Sequence, residues 1–191
     1  MTPEPLRAIV AEDEALIRMD LVELLAEAGY RVIGQAGDGQ QAVDLAVRLR
    51  PDVVFLDVAM PIRDGLSAAE EISSRRIAPV VMLTAFSQRG IVERAAQAGA
   101  LGYLVKPFTA ADLVPAIEVA RARWTQVQEL HDQVADLRDR AAARELVDSA
   151  KERLQRTAGL SEPEAFAALR RRAMDRRITL AEAAAQVLDG S

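Results

Sequence analysis

The chain has no cysteine, which excludes disulfides, thiolate metal sites and cysteine nucleophiles. Histidine is nearly absent as well. The one copy, His131, excludes multi-histidine metal centres, and a lone imidazole among charged neighbours is ordinarily solvated rather than a general base. Long apolar runs are missing: each spans only a few residues, against the roughly 20 that cross a bilayer. No basic-then-apolar leader opens the chain, so the expectation is a cytoplasmic protein with no membrane partner. An excess of positive charge is missing too. The 24 Lys and Arg face 29 Asp and Glu, a formal −5, so any contact with nucleic acid must come from a local patch. Neither an internal repeat nor a low-complexity tract is visible. What remains is a 191-residue chain that is 50% hydrophobic and 28% charged. That composition is ordinary for a globular protein, with room for one large domain or one domain plus a small one.

Charge divides the chain in two. Residues 1 to 110 carry 11 basic and 15 acidic groups, whereas residues 151 to 191 carry 8 and 6. In the first part, short apolar runs alternate with helical patterns, which predicts a doubly wound parallel sheet. Five runs qualify: Ala8 to Ala11, a run centred on Val32 and Ile33, Val53 to Leu56, Val80 to Leu83, and Tyr103 to Val105. Their apolar character on both faces suits a parallel sheet covered on both sides. Between them, Ile17, Leu21, Leu24, Leu25 and Ala28 lie at helical spacing and stop at Gly29, and Ala42, Leu45, Ala46 and Leu49 stop before Pro51. Thr109 and Asp112 resemble a capping box.

The strand ends carry the chemistry. Glu12, Asp13 and Glu14 follow the first strand, Asp57 ends the third, Thr84 ends the fourth, and Lys106 with Pro107 ends the fifth. In an open parallel sheet the carboxyl ends of the strands line one crevice, so these side chains are expected to converge. Clustered carboxylates repel one another, and a hard divalent cation with oxygen ligands relieves this, with Mg²⁺ the obvious candidate. A lysine, a hydroxyl and such a cation around one carboxylate also match what a phosphoryl group needs, because they neutralise its equatorial oxygens.

These elements resemble the receiver domain of two-component response regulators. The matching segments are Ala-Glu-Asp-Glu at 11 to 14, Val-Val-Phe-Leu-Asp at 53 to 57 followed by Met60, Pro61, Asp64 and Gly65, Leu83-Thr84-Ala85, and Tyr103 to Phe108. The resemblance covers about the first 120 residues and implies a flavodoxin-like, five-stranded α/β fold. It implies further that Asp57 is the phospho-acceptor for a sensor histidine kinase. Mg²⁺ would be held by Glu12, Asp13, Asp57 and the carbonyl of Ala59. Glu stands at 12 where many members have Asp, and a water-mediated contact would absorb the extra methylene. Lys106 would pair with a phosphoryl oxygen, the Lys106-Pro107 peptide would be cis, and Thr84 with Tyr103 would form the switch. Such a domain catalyses only its own phospho-acceptance and dephosphorylation. A small-molecule kinase or phosphatase would need a substrate pocket and a second catalytic acid, for which the sequence offers no candidate.

From Asp112 to about residue 156 one long helix is expected, with Pro115 in its first turn, where proline is tolerated. Val127, Leu130, Val134, Leu137 and Ala141 are spaced three and four apart, a short heptad seam. It fits a coiled-coil dimer formed on phosphorylation, an intramolecular helix pair, or a connector packed on its own domain. Trp124 is expected to pack at the domain junction. Beyond Gly159, Ser161 and Pro163 open a second helix, in which Phe166, Leu169, Ala173 and Met174 are expected to face inward. Thr179 caps a third helix with Leu180, Ala183, Ala184, Val187 and Leu188 as its apolar stripe. Arg170, Arg171, Arg172, Arg176 and Arg177 face only Asp175 in eight residues, with Lys151, Arg153 and Arg156 as possible borders. Arginine forks suit phosphates and base edges, which makes this a candidate nucleic-acid surface.

This segment resembles the ANTAR domain, an RNA-binding antitermination module. The match lies in Ala150-Lys151 with Leu154, Ala165-Phe166, Leu169-Arg170, Ala173-Met174, Leu180 and Ala184. A glycine often follows the Ala-Lys pair in that family, and here Glu152 places an acid beside the presumed RNA face. The layout as a whole is similar to the phosphorylation-dependent transcription antitermination regulators of actinobacteria. It implies a receiver at 1–120, a coiled-coil-like connecting helix at 121–140 and a small three-helix all-α output domain at 141–191. The implied partners are a kinase and paired RNA hairpins, whose binding keeps a terminator from forming. A protein-interaction or phosphorelay module that touches no nucleic acid is the alternative.

Overall fold

The computed structural model describes residues 4–85 and 89–190; the expected domain ends at Met1 and Ser191 lie outside the described residues. The chain divides into two compact units, Met1–Val127 and Gln128–Ser191. In the first unit the five apolar runs are strands: β1 (Arg7–Ala11), β2 (Arg31–Ala36), β3 (Val53–Asp57), β4 (Val80–Thr84) and β5 (Gly102–Val105). They form one parallel sheet in the order β2-β1-β3-β4-β5. The helices that alternate with them are α1 (Ala15–Glu27), α2 (Gly39–Leu49), α3 (Gly65–Ser74), α4 (Arg89–Gln97) and the start of α5 (Ala110–Ala158).

Side chains alternate along a strand, so a sheet covered on both sides needs two cores. On one face Ile9, Val54, Leu56, Val80 and Met82 pack with Ala42 and Ala46 of α2 and Ala68 and Ile72 of α3. On the other, Val10, Val53, Phe55, Val81 and Leu83 pack with Leu21 and Leu25 of α1 and Leu113 and Ile117 of α5. This double coverage is why β3 and β4 are apolar almost without interruption. Local signals set the helix ends. Asp38 accepts a hydrogen bond from the Gln41 backbone N–H at 2.8 Å to start α2, and Asp64 accepts one from Ser67 at 2.8 Å to start α3.

Two expectations are corrected. The helix α5 begins at Ala110, opened as the Thr109–Asp112 pair predicts, with Asp112 accepting from the Thr109 backbone N–H at 2.9 Å. Pro115 therefore sits in the second turn, where it cannot donate to the carbonyl of Ala111. In the second unit the last turns of α5 pack with α6 (Glu162–Arg176) and α7 (Leu180–Asp189) around Ala150, Leu169, Ala184 and Val187. Phe166 and Met174 do not face inward: they are 42% and 69% exposed, and the buried stripe of α6 is Ala165, Leu169 and Ala173. Alanines permit close helix approach, and each bulky residue, one position further round the helix, is turned toward water.

Between its two packed ends α5 is solvated. Residues 129–142 are all exposed, and they include Leu130 at 61%, Val134 at 43% and Leu137 at 64%. Among the described residues no helix is long and apolar enough to cross a membrane.

Candidate functional site

From β1 the chain turns to β2 on one side, and from β3 it turns to β4 on the other. Opposed connections open a crevice beyond the carboxyl ends of those two strands. Into it come Glu12 and Asp13, which follow β1, and Asp57, which ends β3; one carboxylate oxygen from each lies within 4.8 Å of the others. Glu12 is fully buried and Asp57 nearly so, whereas Asp13 is exposed. Lys106, just past β5, bridges the pair, with Nζ 2.5 Å from Glu12 Oε2 and 2.6 Å from Asp57 Oδ1. The second oxygen of Asp57 accepts from the Ala59 backbone N–H at 2.8 Å. Thr84 is buried at the end of β4, one residue beyond the partner of Asp57 in the ladder, and its carbonyl accepts from the Lys106 N–H at 2.8 Å. The Lys106-Pro107 peptide is cis. Tyr103 lies outside the carboxylate cluster, half exposed on β5 opposite Met82.

The electrostatics are those of a crowded acidic site with one resident cation. Burial pushes Glu12 above the ordinary carboxylate range, against the hydrogen bond from Lys106, and the charge of Asp57 adds to the rise. Burial alone would lower Lys106, but its bonds to Asp57 and Glu12 outweigh that and hold the ammonium above its ordinary value. A raised lysine contributes stability that is fully present below its unfolded value of 10.5 and is lost as pH rises through the higher folded value. The stability gap between the wild type and Lys106→Met is therefore expected to close at the alkaline end of a series of unfolding curves. A gap independent of pH would contradict the bridging role.

Two further positions shape the site. Arg18 of α1 donates to the backbone carbonyl of Glu12 and so holds the turn after β1. Gly65 opens α3 directly against the end of β3: a Cβ there would lie 1.9 Å from the carbonyl oxygen of Asp57. In the sequence it stands out only as part of the Asp64-Gly65 pair that carries the receiver resemblance. Gly65→Ala must displace either β3 or α3, so we expect a loss of about 1–3 kcal/mol together with slower phosphorylation. Denaturant midpoints and phosphate incorporation check this, and wild-type values for both would contradict it.

The arginine-rich face of the second unit sorts into two groups. Lys151 is held by Asp148 at 2.7 Å and Glu162 at 2.9 Å. Arg153 donates to the carbonyl of Leu188 and ties α5 to the end of α7. Arg176 donates to Gln186 Oε1 at 2.6 Å, and Arg172 is half-buried and also engaged. Arg170, Arg171 and Arg177 are exposed, with no side-chain partner among the described residues. Glu152 is exposed beside Lys151. Trp124 lines a small cavity with Pro51, Asp52 and Pro79 within the first unit.

Residues 8–118 match the response regulator receiver domain family, and residues 135–188 match the ANTAR domain family. The chain belongs to the two-component response regulators that join these two domains. It is 56% identical over 185 residues to the transcriptional regulatory protein PdtaR of Mycobacterium tuberculosis, an alignment that covers 97% of this chain and 90% of that protein. A solved signal receiver domain of NarL from the same species is 35% identical with a TM-score of 0.58, and covers 60% of this chain and 94% of its own. The receiver domain of a sensor histidine kinase from Pseudomonas aeruginosa, solved with a magnesium ion coordinated in the active-site cleft, is 34% identical with a TM-score of 0.56. It covers 62% of this chain and 98% of its own.

Proposed function

We propose that Asp57 accepts a phosphoryl group from a phosphohistidine of a sensor histidine kinase, and that this switches an output which binds paired hairpins in nascent RNA and keeps transcription from terminating. The observation that carries the first half is the contact of Lys106 Nζ with Asp57 at 2.6 Å inside an acidic crevice. An Asp57 oxygen attacks phosphorus, the new P–O bond forms as the P–N bond to imidazole breaks, and the imidazole keeps the electron pair and takes a proton. Lys106 then neutralises charge on the phosphoryl oxygens, and the hydroxyl of Thr84 turns to one of them. Glu12, Asp13 and Asp57 present only oxygens, a donor set that suits Mg²⁺, with the Ala59 carbonyl as a further ligand. The cation, when bound, supplies a second positive charge to the transferring group. The chain turns over no other substrate and works in the cytoplasm.

The new group adds about −1.5 to −2 charge at a point where Lys106 is already shared between two carboxylates. That competition favours an inward movement of Tyr103 and a changed receiver surface. The seam of Val127, Leu130, Val134, Leu137 and Ala141 on α5 then pairs with a second copy. Support comes from the exposure of Leu130 and Leu137, at 61% and 64%. We assign the receiver to residues 1–120, the connecting helix to 121–140 and the RNA-binding module to 141–191. Sedimentation tests the coupling: a beryllofluoride mimic of phosphoaspartate should convert monomer to dimer, and Leu137→Asp should block the conversion. A wild-type chain whose mass is unchanged by the mimic would overturn it.

A further inference from the structure

We infer that the groove formed by Phe166, Arg170 and Met174 of α6 with Arg177 at its C-terminal cap is the platform on which an unpaired RNA base stacks; this rests on the RNA-binding reading above. Phe166, Arg170 and Met174 are four residues apart in turn, which keeps them on one face of α6, and Arg177 is the left-handed residue that caps its C-terminus. With Ala173 and Leu180 they line an open groove of about 490 Å³. Phe166 is the only Phe, Tyr or Trp in 128–191, and it is placed outside the core of its own unit, 42% exposed, sharing the groove with Met174 at 69%. A phenyl ring has no polar atom to satisfy in water. What it offers a ligand is a flat face, and the thioether of Met174 adds a soft, polarisable contact for an aromatic ring.

Charge selects the occupant. The Phe166 groove is lined by two arginines and no carboxylate, and neither Arg170 nor Arg177 has a side-chain partner among the described residues. The groove on the other flank of α6 is lined by Arg171, Arg172 and Arg176 but also by Glu164 and Asp175, which oppose a polyanion. A ring flanked by free guanidiniums suits a base with a phosphate on either side, since every base has a π-face and arginine adds cation–π and phosphate contacts. The base must be unpaired, because a base within a helix shows only its edge. A second copy of this chain is disfavoured as occupant: two-fold pairing sets the same patch against itself and would bring four arginines together.

The test uses the full chain and a two-hairpin RNA isolated by binding to it from a pool with randomised loops, with 2-aminopurine placed at each loop position in turn. The expected result is quenching at one position when the wild type binds. Phe166→Leu should abolish that quenching and weaken binding about tenfold with the salt dependence unchanged, since no charge is removed. Phe166→Tyr should restore both. Wild-type affinity and quenching in Phe166→Leu would overturn the platform and leave RNA binding standing. Failure to isolate any RNA would overturn both. A leucine variant that loses self-association at unchanged RNA affinity would assign the groove to a second copy and overturn the platform.

Discussion

Asp57→Asn should take up no phosphate from a cognate kinase or from a small-molecule phosphodonor, while folding as the wild type does. An amide has the shape of the carboxylate but not its nucleophilicity, so the P–O bond cannot form. The surroundings explain why the fold should survive. The Ala59 N–H retains an acceptor in the amide oxygen, and Lys106 retains Glu12 as its second partner at 2.5 Å. Stability should stay within about 1 kcal/mol of the wild type, measured by denaturant unfolding. Dimer content and RNA affinity should remain at their resting values when phosphodonor is added. Phosphate incorporated at the wild-type rate would move the acceptor elsewhere and would leave the crevice around Asp57 without its assigned role.

The second large effect is expected on the RNA side. Replacing Arg170 and Arg177 together by alanine should weaken RNA binding by about tenfold or more for each arginine, and should flatten the dependence of affinity on salt because fewer counterions are released. Neither side chain holds the fold together, so thermal unfolding should not change. Arg153 makes the contrast. It donates to the carbonyl of Leu188, so Arg153→Ala should destabilise the module by about 1–2 kcal/mol, and RNA binding at temperatures where the variant is folded should fall less. Equal losses of affinity for the two variants, with equal salt slopes, would show that charge anywhere on this unit suffices.

The contrast between Arg153 and Arg170 also marks where the sequence stops being informative. The receiver site was legible because most of its functional residues end or follow a strand, and a short continuous apolar run shows where a strand ends: Asp57 after Val53 to Leu56, Thr84 after Val80 to Leu83. Parallel topology then brings those ends together without further information. The helical module has no such device. An alanine-rich helix such as α6 can bury either of two neighbouring stripes, and the choice of Ala165, Leu169 and Ala173 over Phe166 and Met174 depends on how closely its partner helices approach. The same uncertainty hides which arginines are engaged. Lys151 and Arg153 lie two residues apart on α5, yet one is clamped by Asp148 and Glu162 and the other by a carbonyl of α7. Gly65 was readable as a motif member, but the reason for it, an approach of 1.9 Å to the Asp57 carbonyl for any Cβ, exists only in three dimensions.

Both lysines of the chain sit between two carboxylates, Lys106 with Glu12 and Asp57 and Lys151 with Asp148 and Glu162. On the proposed function, a phosphoryl group at Asp57 or an RNA phosphate at Lys151 would compete with a carboxylate already in place, so each lysine would respond to added negative charge rather than be constitutively available.

Phosphorylation-gated RNA binding is tested most directly by titrating the full chain with a two-hairpin RNA and a scrambled control across salt concentrations, with and without the beryllofluoride mimic. The predicted result is preference for the hairpin pair that strengthens with the mimic in the wild type and does not in Asp57→Asn. Equal binding of both RNAs in either state would contradict it, and would assign the output to a protein partner.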